Sequence, residues 1–147
     1  MRITIGSDHA GYEYKELIKI FLIEEGHDVI DRGTVDSNSV DYPDFVHPVI
    51  KDIIDDNAHY GLLICGTGNG VSMTANKYQE IRCGLCWEVS IAELIRQHNN
   101  ANVMALPARF VDIVSAKSMV SAFINTPFEG GRHQRRIDKI TSGLYSC

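Results

Sequence analysis

Cys65 closes a short apolar run, Leu62-Leu63-Ile64, and opens directly onto Gly66-Thr67-Gly68-Asn69-Gly70. A cysteine acts as a base or nucleophile only as its thiolate. Backbone N–H groups in a glycine-rich turn, with the free N–H groups of a following helix, favour that anion and any oxyanion formed beside it. Glycine at 66, 68 and 70 allows positive φ and lets a ligand approach the main chain. Thr67 adds a hydroxyl. The plainer reading makes Cys65 a small core hydrophobe at a strand end. A dinucleotide fingerprint is a third reading: Gly66 and Gly68 fit, and Glu88 lies about the right distance on. Its third glycine would fall at Val71, however, and the loop follows the third strand instead of the first.

Three other stretches carry groups of interest. Asp8-His9 is either an Asx turn with an exposed histidine or part of a site on the same rim as Cys65. His98 ends a helical stretch, where it suits the negative pole of the helix dipole or a proton shuttle near neutral pH. In Gly130-Gly131-Arg132-His133-Gln134-Arg135-Arg136, Arg132 and Arg136 share one helix face, and Arg135 and Lys139 another. That is a solvated basic helix or, after two glycines in an acidic chain, a phosphate clamp. Arg109, expected at the start of the preceding helix, would add a third charge. His27, His47 and His59 have no catalytic neighbour in sequence and read as surface. Cys83-Gly84-Leu85-Cys86 has redox or zinc spacing, but it falls in a strand-like run with no second Cys/His pair.

The elements that must hold these groups alternate. Ile3 and Ile5 mark a first strand. A helix with Leu17, Ile18, Phe21 and Leu22 on its apolar face follows and ends at Gly26. Residues 28–31 form a second strand, and residues 33–44 a polar loop long enough to suggest function. Asp44 is expected to cap the next helix, whose buried stripe is Phe45, Val49, Ile50, Ile53 and Ile54, with Pro48 near its first turn. The strand ending at Cys65 precedes a short helix over 71–78. A strand over 82–87, a helix over 91–97 and a strand over 102–106 come next. A long helix over 109–123, with Val111, Val114, Met119, Val120 and Phe123 among its apolar positions, and a basic helix from Arg132 towards Ser142 complete the chain. Five strand–helix alternations imply a parallel sheet with helices on both faces. Ligands in such sheets bind beyond the carboxyl ends of the strands, where Asp8 and Cys65 both fall.

The 147 residues are 44% hydrophobic and 22% charged, enough for one domain with its own core. There is no internal repeat, low-complexity tract or linker, so residues 1–147 read as a single domain. The net charge of −5 gives no general attraction to nucleic acid or membrane. No apolar run is long enough to span a bilayer, and the strand-like start leaves no room for a signal peptide. A cytoplasmic protein with reduced thiols is therefore expected.

Several motifs, in order, resemble the ribose-5-phosphate isomerase B family along nearly the whole chain. They are Gly6-Ser7-Asp8-His9-Ala10-Gly11, Asp41-Tyr42-Pro43-Asp44, Cys65 to Gly70, Ala75-Asn76-Lys77, Arg96-Gln97-His98-Asn99-Asn100-Ala101-Asn102-Val103 and Gly130 to Arg136. Isomerases of the galactose-6-phosphate type share some of them. The resemblance implies a three-layer α/β/α, Rossmann-like fold of five parallel strands with an extra C-terminal helix. It implies a homodimer or dimer of dimers with active sites at the subunit interface, and no metal or organic cofactor. The implied reaction interconverts ribose 5-phosphate and ribulose 5-phosphate through an enediolate, in the non-oxidative pentose phosphate branch. Cys65 would move the proton between C1 and C2. His98 would open the furanose ring with help from Asp8, and Gly66, Thr67, Gly68, Asn69 and Gly70 would hold the enediolate oxygens. His9, Arg109, Arg132 and Arg136 would bind phosphate or orient the sugar, with Tyr42 and Asn99 lining the site. A branch of the family replaces the cysteine with a glutamate just after the glycine loop. That position is Val71 here, so the chain resembles the cysteine branch. Two alternatives stay open: an isomerase of allose or galactose 6-phosphate, alone or as one subunit of a hetero-oligomer, and a sugar-phosphate-binding module without turnover.

Overall fold

A computed structural model describes residues 1–142. Eleven elements follow one another as β1 (Arg2–Ser7), α1 (Tyr12–Glu24), β2 (Asp28–Asp31), α2 (Pro43–Ile54), β3 (Tyr60–Cys65), α3 (Asn69–Ala75), β4 (Cys83–Leu85), α4 (Val89–Asn99), β5 (Val103–Pro107), α5 (Ile113–Asn125) and α6 (Arg132–Ser142). The strands form one parallel sheet in the order β2-β1-β3-β5-β4.

Alternation along the strands sorts the core into two layers. Ile3, Ile5, Leu62, Ile64, Met104 and Leu106 face α1 and α5 through Ile18, Leu22, Met119, Val120 and Phe123. Leu63, Cys65, Val103 and Ala105 face α2 and α3 through Val46, Val49, Ile50, Val71 and Ala75. From β1 the chain moves outward to β2, then returns across β1 to build β3 on its other side. The carboxyl ends of β1 and β3 therefore flank the crevice that such a reversal opens. Cys83 packs with the α2/α3 layer and Cys86 with the opposite one. Both are free thiols. Cys147 lies outside the described residues.

Several local expectations are corrected. Helix α2 begins at Pro43, with Tyr42 as its N-cap and no side-chain cap; Asp44 is inside the first turn. Pro48 is in the helix interior. Helix α3 starts at Asn69, two residues early. Helix α5 starts at Ile113, capped by Asp112 accepting from the Ser115 N–H at 2.9 Å, so Arg109 belongs to the turn before it. Leu17, Ile54 and Val114 face outward. In α1 the stem of Lys15 fills the buried position instead, its ammonium pairing with Glu16 at 2.6 Å and Asp31 at 2.7 Å. Gly26, at φ +83°, ends α1 as expected. Among the described residues no helix is long and apolar enough to cross a membrane.

One polar anchor ties α2 to the sheet. The buried Asp52 carboxylate accepts two bonds from the Arg32 guanidinium, both 2.9 Å, and one from the Thr4 hydroxyl at 2.8 Å. It thereby ties the start of the loop between β2 and α2, and β1, to the last turns of α2. Arg32 holds the Asp52 carboxyl below its ordinary range; burial pushes upward, and Thr4 adds to the lowering. A depressed carboxyl stabilises the fold above its unfolded value and stops doing so as pH falls through the folded one. Asp52→Asn is expected to lose about 1–3 kcal/mol at pH 7 by urea denaturation. The gap to the unmodified chain should narrow as pH drops below about 4. A gap that stays constant from pH 7 to pH 3 contradicts the assignment.

Candidate active site

The carboxyl rim gathers most of the groups singled out from the sequence. Cys65 ends β3 with its sulfur accepting from the Gly68 N–H at 3.1 Å. Gly68 has φ +71°, and a Cβ there would lie 2.3 Å from Leu85 Cδ1. Only glycine takes this turn without strain. Gly68 is also the N-cap of α3, so the N–H groups of Asn69, Gly70 and Val71 precede the first helical bond, from Ser72 N–H to Gly68 O. The Asn69 N–H donates to Thr67 Oγ1 at 3.3 Å, and the exposed Thr67 forms the loop tip. A developing oxyanion beside Cys65 would meet backbone donors already in place.

Other elements close in on this loop. The turn after β5 binds it through Ala108 N–H to Cys65 O (2.9 Å) and Arg109 N–H to Gly66 O (3.1 Å). The Arg109 side chain runs over Gly66, where a Cβ would lie 3.3 Å from its Cδ and Nε. The Tyr42 ring lies against Gly70, so a Cβ there would approach its Cζ to 2.6 Å. From β1, Asp8 donates its N–H to Ile64 O at 3.3 Å. Its Oδ1 accepts from the N–H groups of Ala10 (2.9 Å) and Gly11 (3.0 Å). Oδ1 is thus committed to an Asx-type turn, and among the described residues no donor is paired with Oδ2. His9 Nδ1 accepts from the Val40 N–H at 3.2 Å. In the neutral ring this places the proton on Nε2, ready to donate to an anion. The loop between β2 and α2 therefore orients His9 through Val40 and delivers Tyr42, the N-cap of α2, to the same rim.

The remaining groups lie elsewhere. Helix α4 leaves the carboxyl rim and carries His98 and Asn99 on its last turn, at the amino rim, just before β5. Arg82 Nε, at the foot of β4, donates to Asn99 O at 3.0 Å. A helix of this length spans about 16 Å, roughly the depth of the sheet. His98, Asn99 and Arg136 line a cavity of about 330 Å³ with His133, Ile137 and Ile140. Arg132 is exposed one turn before Arg136 on the same helix. Sequence patterns alone assign His133 and Glu129 no role. Their i, i+4 spacing across two glycines was the available signal. Cys83 and Cys86 are spectators: burial pushes both thiols up to about 12, so neither is ionised near neutral pH.

The family profile described as Ribose/Galactose Isomerase matches residues 3–140. The chain belongs to that family. Ribose-5-phosphate isomerase B of Escherichia coli is 43% identical over 141 residues, 96% of this chain and 95% of that protein. A ribose 5-phosphate isomerase from Thermotoga maritima superposes with a TM-score of 0.93 at 47% identity, covering 94% of this chain and 95% of that one. The Mycoplasma genitalium ribose-5-phosphate isomerase B, solved with bound ribulose-5-phosphate, gives a TM-score of 0.90 at 42% identity, covering 95% and 93%. Membership makes this chain an aldose–ketose isomerase of sugar phosphates.

The close approach of Tyr42 to Gly70 has a measurable consequence. Gly70 lies in the first turn of α3 at an ordinary φ, so alanine suits the helix and only the half-exposed Tyr42 ring must move. Gly70→Ala is expected to keep its thermal midpoint while KM for the sugar phosphate rises about fivefold, near 1 kcal/mol of binding. Gly68→Ala should instead lose about 1–2 kcal/mol of stability or more. Equal effects of the two changes on KM and on melting contradict this picture.

Proposed function

We propose that the chain interconverts D-ribose 5-phosphate and D-ribulose 5-phosphate in a homodimer whose active sites are shared between subunits. One observation carries the reading. The cysteine and its donors stand on the carboxyl rim, whereas the histidine and the arginine pair stand on the amino rim of the same chain. A two-fold axis that brings the carboxyl rim of one subunit against the amino rim of its partner completes two equivalent sites at once.

The chemistry gives each group its part. The phosphate is held by Arg132 and Arg136, whose forks suit a dianion, together with His9 and Arg109. The substrate enters as a closed furanose. His98, with Asp8 Oδ2 opposite, moves the anomeric hydroxyl proton to the ring oxygen, and the ring opens to the free aldehyde. The Cys65 thiolate then takes the proton from C2. The C–H electron pair forms the C1–C2 double bond, and the negative charge moves onto O1 among the N–H groups of the 66–70 loop. Fixed donors of this kind contribute about 3–4 kcal/mol to a barrier. The proton on O2 passes to O1 with Thr67 beside it, and the thiol returns its proton to C1 to give the ketose. Tyr42 and Asn99 line the two ends of the sugar.

Turnover by the purified chain on ribose 5-phosphate, allose 6-phosphate and galactose 6-phosphate tests the reading. Ribose 5-phosphate is expected to have the highest kcat/KM. Cys65→Ala is expected to fold, bind the sugar phosphate and lose about 10²–10⁴-fold in kcat. Preference for a hexose phosphate moves the assignment to the six-carbon isomerases. Near-normal turnover by Cys65→Ala removes the base assignment. Binding without turnover on any of the three returns the chain to a sugar-phosphate-binding module.

A further inference from the structure

The amino-rim histidine is held in an arrangement that the reaction scheme above does not use. His98 and His133 stack with ring centroids 4.3 Å apart and planes within 8° of parallel. His133 is nearly buried, with its side chain 6% exposed, whereas the His98 side chain is 39% exposed. Glu129 Oε2 lies 3.4 Å from His133 Nε2 and 4.0 Å from His98 Nε2. The backbone secures this geometry. The Glu129 N–H donates to Gln97 O at 3.1 Å, one residue before His98. Gly130 and Gly131, at φ +68° and +55°, then reverse the chain into α6 so that His133 returns over His98. The His133 N–H closes the turn onto Gly130 O at 3.0 Å.

We infer that Glu129 and His133 are a positioning pair that fixes the plane of the His98 imidazole and places a carboxylate beside it. The inference rests on the reading of His98 as the ring-opening group. His133 supplies a flat, immobile surface against which one face of His98 is pinned. Glu129 supplies a negative charge that favours the imidazolium formed when His98 takes the anomeric proton. The charged groups around the two rings are Glu129 from the connecting segment and Arg132 and Arg136 from α6. Burial holds His133 below the ordinary histidine range; His98, Arg132 and Arg136 act in the same sense, and Glu129 opposes them. His133 is thereby biased towards its neutral form, and the Glu129 carboxylate lies against the edges of both rings. The three groups lie within 4.8 Å of one another, as metal ligands would. Parallel rings, however, direct their Nε2 lone pairs side by side and not at one point, whereas a single carboxylate can serve both N–H groups.

The test follows the His98 ring by 15N NMR across pH, its signals identified by their loss in His98→Asn, beside the pH profile of kcat/KM on ribose 5-phosphate. Glu129 is half exposed, so Glu129→Gln should fold normally. It is expected to lower the His98 midpoint by about 0.5–1 pH unit, the scale of one solvent-screened charge 4 Å away. The acidic limb of the profile should move with it, and Glu129→Asp should restore part of both. His133→Phe keeps a flat neighbour and should preserve more activity than His133→Ala. A His98 midpoint and pH profile unchanged in Glu129→Gln overturn the pair. If the unmodified chain turns over no pentose phosphate yet the His98 midpoint still moves, the isomerase reading fails and the positioning pair stands.

Discussion

An all-parallel sheet has a polarity from which no residue escapes. Every strand ends on one rim, and every crossover helix brings the chain back to the other. A group placed just after a strand and a group placed on the last turn of a helix are therefore separated by the depth of the sheet. Cys65 is of the first kind and His98 of the second. No loop movement of ordinary size brings them together within one chain. This constraint is what supports the proposed dimer: a second copy turned about a two-fold axis would present the missing rim twice over.

Close approach is the second requirement, and glycine meets it at particular places. Gly66 leaves room for the Arg109 side chain and Gly70 for the Tyr42 ring, while Gly68 takes the left-handed turn that points its N–H at Cys65. The same three positions shape the proposed oxyanion cradle and admit the side chains that surround it. Remote structure supports the cradle: the Asp52 anchor fixes α2, and the Val40 N–H holds His9 by its Nδ1. Among the described residues of the amino rim, the matching support is the stacked His98–His133 pair.

Much of this was legible in the sequence because it depends on local patterns. Strand–helix alternation defined the sheet, and the spacing of glycines around Cys65 marked the loop. The motif order from Gly6-Ser7-Asp8-His9 to Gly130-Gly131-Arg132 pointed to the family that residues 3–140 match. What was missed depends on tertiary geometry. Burial of Lys15 in place of Leu17 needs Asp31 from a neighbouring strand. Helix α5 starts at Ile113 because Asp112 caps it, which frees Arg109 to lie across Gly66. The stack of His133 on His98 joins residues 35 positions apart and depends on two glycines whose positive φ no spacing rule reveals.

The central claim is that one working site takes Cys65 from one subunit and His98 from the other. Co-expression of a Cys65→Ala chain with a His98→Asn chain, each under its own tag, tests it directly. Neither variant alone should turn over ribose 5-phosphate at an appreciable rate. In mixed dimers one of the two sites receives both an intact cysteine and an intact histidine. An equal mixture should therefore recover about a quarter of the unmodified activity, and isolated heterodimers about half. Mixed dimers as inactive as the parents would place both residues in sites of a single chain and contradict the account.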